Sequence, residues 1–179
     1  GNVINSSPTV DENGIIYFGS EDGKVYALKQ DGTLKWSYTT SGGVATAPLV
    51  ATLSRLYVGS KNGKLYCLNS ETGDTVWTYT AGDQIISSAT VDRAGRVYVG
   101  SINGKLYCLD SEIGALVWQY SIGAARIYSS PALSSDDSTV YVGGDDGKVY
   151  AVNANTGQLR WSYTAVGQIY GAAAVDSAG

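Results

Sequence analysis

The reactive side chains of this 179-residue sequence are few. They are two thiols, Cys67 and Cys108, sixteen carboxylates, twelve Lys and Arg side chains, and no histidine at all. Without histidine, Ser/His and Cys/His nucleophilic catalysis lack their base. Two cysteines with no imidazole leave a zinc site almost without donors. Cys67 and Cys108 stand at matching places 41 residues apart, and Ala27 and Ala151 fill the same place elsewhere in the chain. A position that accepts Ala or Cys is a small buried slot, where a thiol acts as a small hydrophobe. Two buried structural thiols are therefore expected, ahead of a disulfide or metal pair. The carboxylates fall mostly in turns, where Asp supports local backbone hydrogen bonds. Gly is frequent, but no G-x-x-x-x-G-K-[ST] phosphate cradle occurs, and Lys24, Lys64, Lys105 and Lys148 recur behind one kind of turn. No catalytic, cofactor-binding or metal-ligating residue is expected.

The elements that would position any site are repeats. Trp36, Trp77, Trp118 and Trp161 are spaced 41, 41 and 43 residues apart, and Gly19, Gly59, Gly100 and Gly143 drift with them. Each copy reads as four strands. The first is 6–10, 46–50, 87–91 or 129–133; the second is 15–20, 55–60, 96–101 or 139–144. The third is 24–28, 64–68, 105–109 or 148–152; the fourth is 34–39, 75–80, 116–121 or 159–164. Val, Ile, Tyr, Trp and Thr dominate them, as pleated half-buried surfaces favour. Asp22-Gly23, Asn62-Gly63, Asn103-Gly104 and Asp146-Gly147 predict two-residue hairpins between second and third strands, with positive φ at both residues. Gly32, Gly73, Gly114 and Gly157 mark the next turn. The connection between first and second strands is a turn too, at 10–14, 49–54, 91–95 and 133–138.

Along the third strand Leu65 and Cys67 face one way, and Tyr66 and Leu68 the other. A strand apolar on both faces is covered on both faces. Four-stranded antiparallel sheets stacked face to face, about 40–45 residues each, make a β-propeller. A flat two-sheet sandwich would not bury both faces of every central strand. The chain is thus expected to be all-β, one unit with blades at 1–40, 41–81, 82–122 and 123–165. The segment 167–179 repeats the pattern of 2–14 and reads as an extra first strand.

The net charge of −4 and pI near 4.7 give no basic face for a nucleic-acid backbone. No run of 18 or more apolar residues offers a membrane-spanning helix. Methionine is absent, so Gly1 is expected to be a processing or cloning remnant, and a signal peptide would already be gone.

The third-to-fourth strand turn carries a resemblance. CLNSETGDTVW (67–77) and AVNANTGQLRW (151–161) resemble the A-x-D-x-x-T-G-x-x-x-W repeat of pyrroloquinoline quinone (PQQ) proteins. CLDSEIGALVW (108–118) keeps the Asp, Gly and Trp, and ALKQDGTLKW (27–36) is one residue shorter. The family includes the quinoprotein dehydrogenases and the cofactor-free propeller lipoprotein of outer-membrane assembly. The resemblance covers essentially the whole chain and implies that Trp36, Trp77, Trp118 and Trp161 dock between neighbouring blades. The dehydrogenases also use an adjacent Cys-Cys disulfide and a Glu–Asn–Asp calcium site. Neither is visible here, so PQQ and calcium are not expected.

The copies differ most between the fourth strand and the next first strand. There Gln84, Arg126, Tyr128, Gln168 and Tyr170 could form a polar-aromatic rim at the channel mouth for a protein or peptide ligand; a solvated set of loops is the other reading. Four blades leave apolar faces open, which predicts a homodimer completing eight blades, with a closed four-bladed ring as the alternative. The expected function is a non-catalytic interaction or scaffold module, extracytoplasmic. Two alternatives stay open: a fragment of a PQQ-dependent dehydrogenase whose site lies in other blades, and an excised or engineered repeat array with no activity of its own.

Overall fold

The computed structural model describes residues 2–51 and 54–176. The middle of the 49–54 turn, Gly1, and the last three residues of the 167–179 segment therefore lie outside the described residues. The chain divides into two compact units, Gly1–Ser88 and Ala89–Gly179. Each unit contains two four-stranded antiparallel sheets, consistent with blades of a β-propeller.

In the first unit one sheet runs β1 (Thr9–Val10), β2 (Ile16–Ser20), β3 (Lys24–Leu28), β4 (Leu34–Thr39). The other runs β5 (Leu49–Ala51), β6 (Arg55–Gly59), β7 (Lys64–Asn69), β8 (Thr75–Thr80). In the second unit the sheets are β9 (Thr90–Val91), β10 (Arg96–Ser101), β11 (Lys105–Asp110), β12 (Leu116–Ser121), and β13 (Ala132–Leu133), β14 (Thr139–Gly143), β15 (Lys148–Asn153), β16 (Leu159–Thr164). All four fourth strands fall where the sequence places them.

The first strands are shorter than expected, two or three residues each. A side chain replaces the backbone ladder at their start. The Ser6 hydroxyl donates to the Gly19 carbonyl at 2.9 Å and accepts from the Gly19 N–H at 2.8 Å. Thr46 makes the same pair of bonds with Gly59, and Ser129 with Gly143. Pro8, Pro48 and Pro131 follow two residues later and have no N–H to give a ladder.

The hairpins also differ from expectation. Ser20 pairs with Lys24, so the loop has three residues, Glu21-Asp22-Gly23, and only Gly23 has positive φ. The Gly23 N–H reaches the Ser20 carbonyl at 3.1 Å. This is a type I turn closed by a left-handed glycine rather than a two-residue turn. The Asp or Asn before each glycine keeps αR geometry because its carboxylate or amide oxygen accepts the N–H two residues on. That bond is 3.0 Å from Lys24 to Asp22 and 3.1 Å from Lys64 to Asn62.

The third strands are covered on both faces: Leu65, Cys67 and Leu68 are fully buried, and Leu106, Cys108 and Leu109 likewise. Each third–fourth pair carries a bulge just after the Ala/Cys position, and that residue lies opposite the Trp: Ala27–Trp36, Cys67–Trp77, Cys108–Trp118 and Ala151–Trp161. The slot is small because it shares a sheet face with an indole. Trp36 is seated on Gly73 and donates to the Ser70 carbonyl at 2.9 Å; Trp118 is seated on Gly157 and donates to the Ala154 carbonyl at 2.9 Å. Trp77 is buried as well. Trp161 departs from the expectation. It is 48% exposed and touches Tyr141 of its own sheet, and among the described residues no glycine is seated on it.

Candidate functional site

The rim residues are positioned by the aliphatic residue between them. In the second unit Ile127 is fully buried and its N–H reaches the Ser101 carbonyl; Ile169 packs on Gly143 and its N–H reaches the Gly144 carbonyl at 3.2 Å. With these side chains turned inward, their neighbours face solvent. Arg126 is further pinned at its backbone, where its N–H donates to the Asp145 carboxylate at 2.7 Å and its carbonyl accepts the Asp145 N–H at 3.0 Å.

Four of the five predicted rim residues come together. Arg126 donates from Nη1 to the Tyr128 hydroxyl at 3.2 Å. The Tyr128 and Tyr170 rings meet edge to face with centroids 5.2 Å apart. The Tyr170 hydroxyl donates to the Gln168 amide oxygen at 2.5 Å. Arg126, Gln168 and Tyr170 are exposed, and Tyr128 is half-buried. The patch offers a guanidinium, two aromatic faces and an amide. That set can hold a backbone segment and its side chains, but it has no group suited to shuttle a proton at neutral pH.

Gln84 belongs to the first unit. It is half-buried beside the fully buried Ile85. The connections of that unit carry an arrangement that the sequence reading missed. Glu21 accepts from Lys61 Nζ at 2.6 Å and from the Asn5 amide at 3.1 Å, and the Lys61 bond holds its carboxyl below the usual range. Glu21 and Lys61 head their hairpin loops, as Asp145 does. Their N–H groups reach the carbonyls of Val3, Gly43 and Arg126. The signal was present as variation: that loop position reads Glu21, Lys61, Ile102, Asp145 while the residues around it repeat.

Both cysteines are free and buried, and desolvation pushes each thiol up to about 12. Burial also raises Tyr17, Tyr98 and Tyr150, in each case aided by a carboxylate that accepts the hydroxyl proton. These groups stay neutral in the fold while the unfolded chain ionises above about pH 9 to 10, so stability is full below that range and falls as pH rises through it. Thermal unfolding should therefore be flat near neutrality and drop from about pH 9 upward. Ellman's reagent should find neither thiol at pH 8 until denaturant is added; fast labelling of the native chain would contradict the buried assignment.

The cysteines are not adjacent, and among the described residues no three His, Cys, Asp or Glu side chains gather as a metal site. Among the described residues no helix is long and apolar enough to cross a membrane.

The family model described as outer membrane protein assembly factor BamB matches residues 2–53 and 52–178. A search of curated proteins found no match. Among solved structures, the crystal structure of BamB from Moraxella catarrhalis is similar at 20% identity with a TM-score of 0.81. The match covers 96% of this chain and 55% of that one, so the chain spans about half the length of the protein it resembles. At that identity the likeness speaks for the fold. The repeated turn, the tryptophan register and a family match over nearly the whole sequence agree: the chain belongs to the BamB-like family of PQQ-repeat β-propellers.

Proposed function

We propose that this chain is a non-catalytic interaction module whose ligand is a protein or peptide segment held at Arg126, Tyr128, Gln168 and Tyr170. The observation that carries this reading is the edge-to-face tyrosine pair bonded to an exposed arginine, on a backbone fixed by Asp145. Tyr and Arg are the types that carry binding energy when a partner desolvates them. A BamB-like repeat propeller fits a scaffold or assembly role. In this reading the chain works outside the cytoplasm and takes neither PQQ nor calcium. Copies that hold no ligand associate through their open sheet faces as a homodimer of four plus four blades.

A displayed peptide library panned on the whole chain tests it. Enriched peptides should bind the native chain and lose about tenfold or more in affinity to Tyr128→Ala and Tyr170→Ala, since each removes more than 1 kcal/mol of contact. Peptides that bind both variants unchanged would sink the rim assignment. Stoichiometric binding of PQQ with calcium, read as a shifted quinone absorbance, would favour the dehydrogenase-fragment reading.

A further inference from the structure

The two open sheet faces of the chain are halves of one contact. Resting on the self-association read above, we propose that Trp161 of one copy seats on Gly32 of a second copy. Residues 2–5 of that second copy then displace segment 167–176 from its place on Gly143.

Each unit builds this contact between its own two sheets. The glycine four residues before one tryptophan lies under the tryptophan of the preceding sheet. A Cβ at Gly73 would stand 2.8 Å from the Trp36 ring, and a Cβ at Gly157 would stand 2.7 Å from the Trp118 ring. Gly32 occupies the same place four residues before Trp36, with φ of +80°, yet nothing lies within 4 Å of it. Trp161 is the converse, a half-exposed indole whose Nε1 has no hydrogen-bond partner among the described residues. One end has the seat without the ring, and the other has the ring without the seat.

A second seat must change hands. Val44 fills the space over Gly19, Ile85 that over Gly59, and Ile169 that over Gly143. Ile4 is the corresponding residue of the first connection and is 55% exposed, so its seat is the Gly143 of another copy. Ile169 holds that place, and only one of the two can. Residues 2–11 are the firmer first strand of the first sheet, tied through the Ser6 hydroxyl to Gly19 and paired with β2. The tail has Gly171 where Ser6 stands, so it cannot make that tie, and its described residues form no strand. The tail therefore covers the seat in a lone copy and yields to Ile4, which also draws Gln168 and Tyr170 away from Tyr128, so peptide binding and dimerisation exclude one another.

Sedimentation equilibrium on the 179-residue chain tests this with three variants. Trp161→Ala removes the ring. Gly32→Asn fills the seat with a residue that tolerates the left-handed backbone. The third lacks 167–179. The native chain should dimerise, and the two point variants should each weaken association about thirtyfold, as loss of a central aromatic anchor does. Their unfolding temperatures at dilution should stay near the native value. The deletion should tighten association about tenfold, because the competent state no longer competes with the tail. A dimer indifferent to both point variants overturns this contact and leaves the dimer reading standing. A chain that stays monomeric with and without its tail overturns both. A deletion that weakens association overturns the displacement.

Discussion

Trp118→Ala should lower the stability of the second unit by about 3–5 kcal/mol, the range for deleting a buried aromatic side chain. For a chain of this size that is a fall of roughly 6–20 °C in midpoint temperature. The indole is almost wholly buried, packs against Tyr98 at a centroid distance of 5.8 Å, and rests on Gly157. Its N–H is satisfied by the Ala154 carbonyl, so the substitution leaves both a cavity and an acceptor without its donor. Gly157→Val should do comparable damage from the other side. Its φ of +70° is hostile to a β-branched residue, and any Cβ would meet the indole 2.7 Å away. Trp161→Ala is the internal control. With the ring half exposed, the isolated copy should lose no more than about 1 kcal/mol. Differential scanning calorimetry of the three variants checks the ordering. Equal losses at Trp118 and Trp161 would contradict the docking role.

The contrast between those tryptophans shows where sequence reading reaches its limit. Periodicity reports what a residue type is suited to do, and Trp161 is as suited to docking as Trp36. Whether it docks depends on what lies over it, which no local pattern encodes. The strands and turns were legible because their signals are local: alternation, Asn-Gly or Asp-Gly, and a glycine four residues before each Trp. The first strands are shorter than their composition suggests because a serine or threonine hydroxyl takes over the hydrogen bonds that a longer ladder would make. The hairpin loops hold three residues rather than two because Asp and Asn work through their side-chain oxygens and leave the positive φ to the glycine. The connections between copies were legible as the places where the copies differ. The Tyr128–Tyr170 contact was not, since it joins residues 42 positions apart from two successive connections.

Asp92→Ala should be nearly as damaging as loss of a docked tryptophan, through a different mechanism. Its side chain is fully enclosed. One carboxylate oxygen accepts the Arg96 N–H at 2.8 Å; the other accepts Arg96 Nε at 2.6 Å and the Tyr98 hydroxyl at 2.7 Å. Arg96 goes on to the Ala154 carbonyl at 3.1 Å and the Asn155 amide at 2.6 Å, so the carboxylate anchors a bridge between the third and fourth sheets. Removing it leaves a guanidinium and a buried phenol facing a gap. Breaking one side of a buried pair costs about 3–5 kcal/mol, and because Arg96 keeps some contact with water and two other acceptors, about 2–3 kcal/mol is expected here. In the first unit Asp11 accepts the Tyr17 hydroxyl at 3.0 Å, but Ile15 stands where Arg96 does, and no guanidinium depends on it. Asp11→Ala should therefore cost less, about 1–2 kcal/mol for the lost hydrogen bonds. A double-mutant cycle of Asp92→Ala with Arg96→Met, read by urea unfolding, should return a coupling of about 1 kcal/mol or more. Additive losses would mean that the carboxylate serves only its turn and its tyrosine.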